Sequence, residues 1–174
     1  MASEKKLKSV RVGEELHEGK LKAFLREHGL ITQEKAALLV KQFTNGYSNL
    51  TYLLQIENKE YVLRRPPFAA PKRGHDMGRE FRVLQQLNPV YDKSPKVYVF
   101  NEDPKIIGAP FYIMEKVSGE ILTATSAFSK KISPEAFKII SDTWVAAFVE
   151  FHHIDYKAAG LSELGRPEGY VARQ

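Results

Sequence analysis

Between Phe43 and Gly119 the chain changes local character in a fixed order, and that order limits what it can fold into. It opens on Phe43-Thr44-Asn45-Gly46-Tyr47-Ser48-Asn49, where Asn45 and Gly46 both tolerate positive φ and mark a turn between apolar runs. Tyr61-Val62-Leu63-Arg64-Arg65 comes next, a strand pattern ending in cations and stopped by Pro66 and Pro67, which cannot donate to a ladder. Arg79-Glu80-Phe81-Arg82-Val83-Leu84 then places a carboxylate one step from a helical face formed by Phe81, Leu84 and Leu87. Phe111-Tyr112-Ile113-Met114-Glu115-Lys116-Val117-Ser118-Gly119 closes the stretch as a strand running into a glycine-marked linker.

The remaining elements arrange themselves around this frame. Residues 1–13 are poor in apolar side chains and read as a flexible tail. Leu21, Phe24, Leu25 and His28 fall at helical spacing, with Gly29 where a C-cap glycine belongs. The second half of Ala36–Phe43 reads as the first strand, and Leu50–Ile56 alternates as the second. Asn58 marks a hairpin into the third. Pro71–Asp76 is a connection, Met77–Leu87 a helix, and Val97–Phe100 and Phe111–Met114 are a further pair of strands. Strand, strand, strand, helix, strand, strand predicts an α+β fold: an antiparallel five-stranded sheet with one helix.

After Gly119 the pattern turns helical. Thr123–Ser133 is polar and loop-like, and Ser133-Pro134 is an N-cap with a first-turn proline behind it. Ile140, Trp144, Ala147, Phe148 and Phe151 then give a broad apolar face out to about His153. The chain accordingly divides into a tail (1–13), a sheet lobe (14–117), and a linker with the incomplete start of a helical lobe (118–174).

Composition narrows the chemistry. With no Cys, disulfides, thiolate metal sites and Cys nucleophiles drop out, and a reducing cytoplasmic setting is compatible. No apolar run approaches the roughly 20 residues of a membrane helix, and no apolar stretch succeeds the charged N-terminus as a secretory signal requires. The net charge of +5 is spread along the chain, and basic and aromatic residues do not interleave on one face. That argues against nucleic acid as a partner.

Each candidate site has a plain structural reading beside its functional one. Asn45, Gly46, Ser48 and Asn49 suit a loop whose backbone N–H groups cradle phosphate, or an ordinary hairpin turn. Arg64 could reach phosphates, yet Arg65 lies alongside, and the choice depends on which strand face meets a cleft. Glu80 could orient that cation across the sheet–helix gap, or lie in solvent among Arg79 and Arg82. Glu115 and Val117 could offer main-chain groups edge-on to a flat heterocycle, or simply lead into a turn. His152-His153-Ile154-Asp155 reads as the end of a packed helix, so no metal ligand and no catalytic residue is assigned.

Together these segments resemble the N-terminal lobe of the aminoglycoside phosphotransferase and choline kinase family, a branch of the protein-kinase-like fold. Within it they are most similar to the phosphotransferase domains related to the kinase part of acyl-CoA dehydrogenase family members. Phe43–Leu54 resembles the family's nucleotide loop and second strand, Tyr61–Pro67 its third strand, Arg79–Leu84 its first helix, and Ile107–Gly119 its hinge. Leu161–Tyr170 resembles the segment just beyond the family's first large-lobe helix. The resemblance implies that Arg64 takes the place of the phosphate-contacting strand lysine and Glu80 that of its helix partner. Glu115 and Val117 would meet adenine. It implies ATP and Mg²⁺ as cofactors, transfer of the γ-phosphoryl group to a small-molecule hydroxyl, and an aminoglycoside-like, choline-like or hydroxyacyl-CoA acceptor.

Two departures stand out. The loop carries one glycine, with Asn45 where relatives often have another, and Arg presents a fixed fork where Lys presents a point charge. The family's catalytic His-Gly-Asp does not occur between Met1 and Gln174. The expectation is a nucleotide clamp without its own turnover, prone to self-association through the helix around Trp144 and Phe148. The rival reading is a non-catalytic nucleotide-binding or docking module.

Overall fold

The computed structural model describes residues 7–44, 48–67, 76–119, 122, 131–165, 168–169 and 171–173. Its centre is a six-stranded antiparallel sheet built from β1 (Leu7–Lys8), β2 (Leu38–Phe43), β3 (Leu50–Ile56), β4 (Lys59–Arg65), β5 (Val97–Asn101) and β6 (Phe111–Glu115). The spatial order is β1-β2-β3-β4-β6-β5. Helices α1 (Glu18–Glu27), α2 (Met77–Leu87) and α3 (Pro134–His152) complete the described framework, with short 3₁₀ turns at Ser162–Leu164 and Val171–Arg173.

Strand alternation sorts the sheet into two faces. Tyr52 pairs with Leu63, and Leu63 with Ile113, so these buried side chains share one face with Leu54, Tyr61 and Phe111. Helix α1 lays Leu21, Phe24 and Leu25 into this face, with the Phe24 ring edge-on to Phe111 at 5.1 Å. The helix ends as its sequence suggests: Gly29 has φ 70°, and Leu30 N–H reaches back to the Leu25 carbonyl at 2.9 Å.

The opposite face carries Leu53, Val62 and Met114 across one row, and Thr51, Arg64 and Tyr112 across the next. Helix α2 covers its β5–β6 end, where Phe81 stacks on Phe100 and tilts against Tyr112. Asp76 caps α2 by accepting from Arg79 N–H at 2.8 Å. The helix buries Met77, Gly78 and Leu87 most deeply, while Phe81 and Leu84 of the expected face are only half-buried. A ring of aromatic size lies over the sheet's rim rather than inside it.

Two local expectations need correction. The segment read as tail contributes β1, with Leu7 opposite Phe43 and Lys8 opposite Gln42, and Arg11 N–H donates to Gln42 Oε1 at 2.9 Å. Among the described residues the sheet therefore has six strands, not five. The β3–β4 hairpin turns at Glu57-Asn58, as expected, with the positive φ on Glu57 at 55°. Glu57 turns its carboxylate onto the Thr32 and Gln33 N–H groups, at 3.1 and 3.0 Å, which ties the hairpin tip to the α1–β2 connection. Finally, α3 has the expected Ser133 cap and Pro134 start but buries none of its residues. Most of Pro71–Asp76 and of Thr123–Ser133 lies outside the described residues.

Helix α3 meets the sheet lobe near its C-terminal end. Tyr91 packs edge-on to Phe151 at 5.5 Å, and Lys93 pairs with Glu150 at 2.6 Å. His152 and His153 each direct Nδ1 at a carbonyl one turn back, Phe148 and Val149, at 2.8 and 2.7 Å. They close a helix whose apolar face is exposed, so the packed helix expected there is not what the described residues contain. No described helix is long and apolar enough to cross a membrane.

Candidate functional site

The position of α1 separates the two arginines that strand alternation puts on opposite faces. Arg65 shares parity with Tyr61 and Leu63 and is fully buried on the α1 face. Its Nη1 donates to the Ile107 carbonyl at 2.8 Å and its Nε to the Pro66 carbonyl at 3.0 Å. Burial lowers its pKa, although Tyr52 and Glu14 nearby favour the charged form. Arg64 shares parity with Val62 and extends onto the other face, where Nη2 lies 3.4 Å from Glu80 Oε2.

Glu80 is held by more than the cation. Its Oε1 accepts from Asn49 Nδ2 at 2.9 Å, and its Oε2 accepts from the Tyr112 hydroxyl at 3.0 Å. The carboxylate projects from the first turn of α2, a position that the helix dipole favours for an anion. Burial drives the Tyr112 phenol well above its ordinary range; the Arg64 charge opposes that shift, and Glu80 adds to it. Tyr112 therefore stays a donor to the carboxylate.

The other site residues expected from the sequence do not share one face: Glu115 pairs with Tyr61 and so has the parity of the α1 face. Asn45 and Gly46 lie outside the described residues. Ser48 is exposed at the loop's return, whereas Asn49 is buried and turned to Glu80. Glu115 N–H is already engaged with the Lys96 carbonyl at 2.7 Å, and the Glu115 carboxylate accepts from Lys96 N–H at 3.2 Å. Any heterocycle meeting Glu115 must therefore use its carbonyl. Val117 is exposed in the linker beyond β6.

A cavity of about 580 Å³ opens at the hairpin end of the face that carries Arg64. Leu39, Lys41, Leu53, Gln55, Glu60 and Lys116 form its floor and linker side, and Leu7–Val10 close it. Lys116 pairs with Glu60 at its rim and, by that hydrogen bond, holds the Glu60 carboxyl below its ordinary pKa. Arg64 and Glu80 lie outside this lining, toward the 44–49 loop. The cavity and the ion pair thus occupy opposite ends of one sheet face, with Val62 and Met114 between them. Among the described residues no cluster of three or more His, Asp or Glu could hold a metal ion.

Tyr112 is the participant that sequence reading missed. Its signal was parity: it sits two residues before Met114 and so shares that face of β6.

Comparison with known proteins is consistent with this geometry. The profile of the phosphotransferase enzyme family matches residues 39–174. Acyl-CoA dehydrogenase family member 11 of Rattus norvegicus is 34% identical over 157 residues, covering 88% of this chain and 20% of that protein. Probable acyl-CoA dehydrogenase IBR3 of Arabidopsis thaliana is 36% identical over 145 residues, covering 78% of this chain and 17% of that protein. The chain thus spans about a fifth of the length of these relatives. A solved structure named as an aminoglycoside phosphotransferase, from Ralstonia eutropha, superposes with TM-score 0.74 at 33% identity, covering 91% of this chain and 45% of that one.

Proposed function

This chain belongs to the phosphotransferase enzyme family, and on that premise we propose that it is the ATP-gripping lobe of a small-molecule kinase. The observation that carries the reading is the Arg64–Glu80 pair, which bridges β4 and α2 beside Asn49 on the sheet face opposite α1. Phosphoryl transfer asks a protein mainly for positioning and charge neutralisation, and a fixed cation near the phosphates supplies part of both. Glu80 engages Arg64 at Nη2, and the Arg64 Nε is buried without a hydrogen bond among the described residues, so the outer guanidinium N–H groups of the one-third-exposed side chain are the ones left to a ligand. The fork therefore retains N–H directions for phosphate oxygens.

On this reading the base lies over Val62 and Met114, toward the cavity beside Lys116, with the Glu115 carbonyl and Val117 main chain at its edge. Ser48 lies toward the phosphates. The described residues do not fit Mg²⁺, since they offer no carboxylate cluster, and no step is assigned to the metal through this chain. We place the catalytic base and the hydroxyl acceptor in a helical lobe, in a cytoplasmic protein. Among aminoglycoside-like, choline-like and hydroxyacyl-CoA acceptors, we favour the last. The names of the relatives support that choice.

Calorimetric titration of the 174-residue chain with Mg²⁺·ATP tests the reading. The wild type binds, and Arg64→Ala weakens binding by roughly tenfold or more, the loss of a charge-assisted contact. No binding by the wild type, or equal binding by both proteins, contradicts it.

A further inference from the structure

Three elements converge on one carboxylate. Asn49 immediately precedes β3, Tyr112 is the second residue of β6, and Arg64 is near the end of β4. Asn49 Nδ2 and the Tyr112 hydroxyl each donate to a different oxygen of Glu80, at 2.9 and 3.0 Å, and the Tyr112-bound oxygen is also the one 3.4 Å from Arg64. Both neutral donors are buried, with Asn49 at 7% and Tyr112 at 1% exposure, whereas the Arg64 and Glu80 side chains are about one-third exposed.

A single, partly exposed ion-pair contact is a weak restraint on a helix. Hydrogen bonds from buried, pre-positioned donors to a charged acceptor are stronger, because a charge-assisted bond is worth about twice a neutral one. We propose that Asn49 and Tyr112 are positioning residues that lock Glu80, so that one carboxylate sets both the Arg64 guanidinium and the loop's return into β3. This rests on the nucleotide reading above and adds a consequence to it. The phosphate grip is assembled by the sheet itself and is not switched by swinging α2 away. A ligand pressing on the loop is felt at Arg64 through Asn49 and Glu80.

Two measurements separate this inference from the reading it rests on. In the first, the full chain and the variants Tyr112→Phe, Asn49→Ala and Asn49→Asp are titrated with Mg²⁺·ATP and with adenosine. The inference expects Tyr112→Phe and Asn49→Ala to lose about threefold to tenfold for Mg²⁺·ATP, and Asn49→Asp to lose more, because it opposes a second carboxylate to Glu80. Adenosine affinity stays within about twofold, since only the phosphate end is disturbed. Equal losses for both ligands, or none for either in a wild type that binds, overturn it.

The second measurement needs no nucleotide. In urea unfolding, Tyr112→Phe and Glu80→Gln are combined, and the inference expects non-additivity of roughly tenfold in the folding constant. Additive effects overturn the lock whatever the ligand does. Coupling without any Mg²⁺·ATP binding would leave the lock in place, remove the nucleotide reading, and overturn the proposed role in the phosphate grip.

Discussion

Arg64 and Arg65 are neighbours in sequence and opposites in structure: one reaches 3.4 Å from Glu80 on the face opposite α1, and the other is fully buried against the Ile107 carbonyl at 2.8 Å. Their substitutions should separate cleanly. Arg64→Ala is expected to change stability by no more than about 1 kcal/mol, as for a partly exposed pair. Arg65→Ala leaves a cavity and strands the Ile107 carbonyl, at a cost of about 2–4 kcal/mol. Urea melts of the two variants check this; equal losses contradict the assignment of faces.

Much of this frame was legible because local chemistry specified it. Leu50–Ile56 and Met77–Leu87 have the bounds their periodicity gave, and Ser133-Pro134 begins α3 by cap and first-turn proline. Alternation put Arg64 and Arg65 on different faces, yet nothing local says which face α1 will cover, because α1 arrives from over thirty residues away. The Asn49–Glu80 bond was hidden for the same reason, since it joins side chains separated by 31 positions. Asn49 looked like loop chemistry because it stands just after Asn45-Gly46. A strand as short as Leu7–Lys8 shows no alternation at all, and only its neighbour β2 defines it.

The alkaline limb of stability should carry the signature of buried phenols. Burial pushes the Tyr52 phenol up to about 12, against the opposing charge of Arg65, and its hydroxyl donates to the Glu14 carbonyl at 2.8 Å. Tyr112 shifts in the same direction. Between the unfolded value of 10.0 and the folded one, the unfolded chain loses a proton that the native state keeps. Stability therefore falls as pH rises through that window, and these groups add no slope below it. Tyr52→Phe should remove part of the slope, while losing about 1 kcal/mol at neutral pH with the hydrogen bond. Unfolding free energies from about pH 8 upward test this, and an unchanged slope contradicts it.

At the acid end the informative group is Glu57. The Gln33 and Thr32 backbone N–H groups hold its carboxyl below the ordinary value of 4.5. A depressed carboxylate stabilises the fold above its unfolded pKa, and that contribution is lost as pH falls through the folded one. Glu57→Gln should thus lower the melting temperature at about pH 7, and the gap should close as pH falls below the ordinary carboxylate value and through the lowered folded one. A gap that persists into acid would mean that shape, and not charge, holds the hairpin tip.

Helix α3 carries an apolar face that the described structure leaves open, with Trp144 65% and Phe137 60% exposed and Trp144 stacked on Phe148 at 5.3 Å. Contiguous apolar surface of this kind promotes association. Sedimentation velocity over a concentration series should show self-association of the 174-residue chain. Trp144→Ser with Phe148→Ser should shift it toward monomer by roughly tenfold or more in the dissociation constant. A wild type that stays monomeric at high concentration contradicts this.

The central claim is that nucleotide is gripped on the face carrying Arg64 and Glu80, not on the face covered by α1. Backbone amide shifts of the ¹⁵N-labelled chain, tracked while Mg²⁺·ATP is added, test it most directly. The account predicts that the largest changes cluster at Ser48 and Asn49, at Arg64, and along Glu115–Val117, with α1 silent. Changes centred on α1, or none at saturating nucleotide, would contradict it.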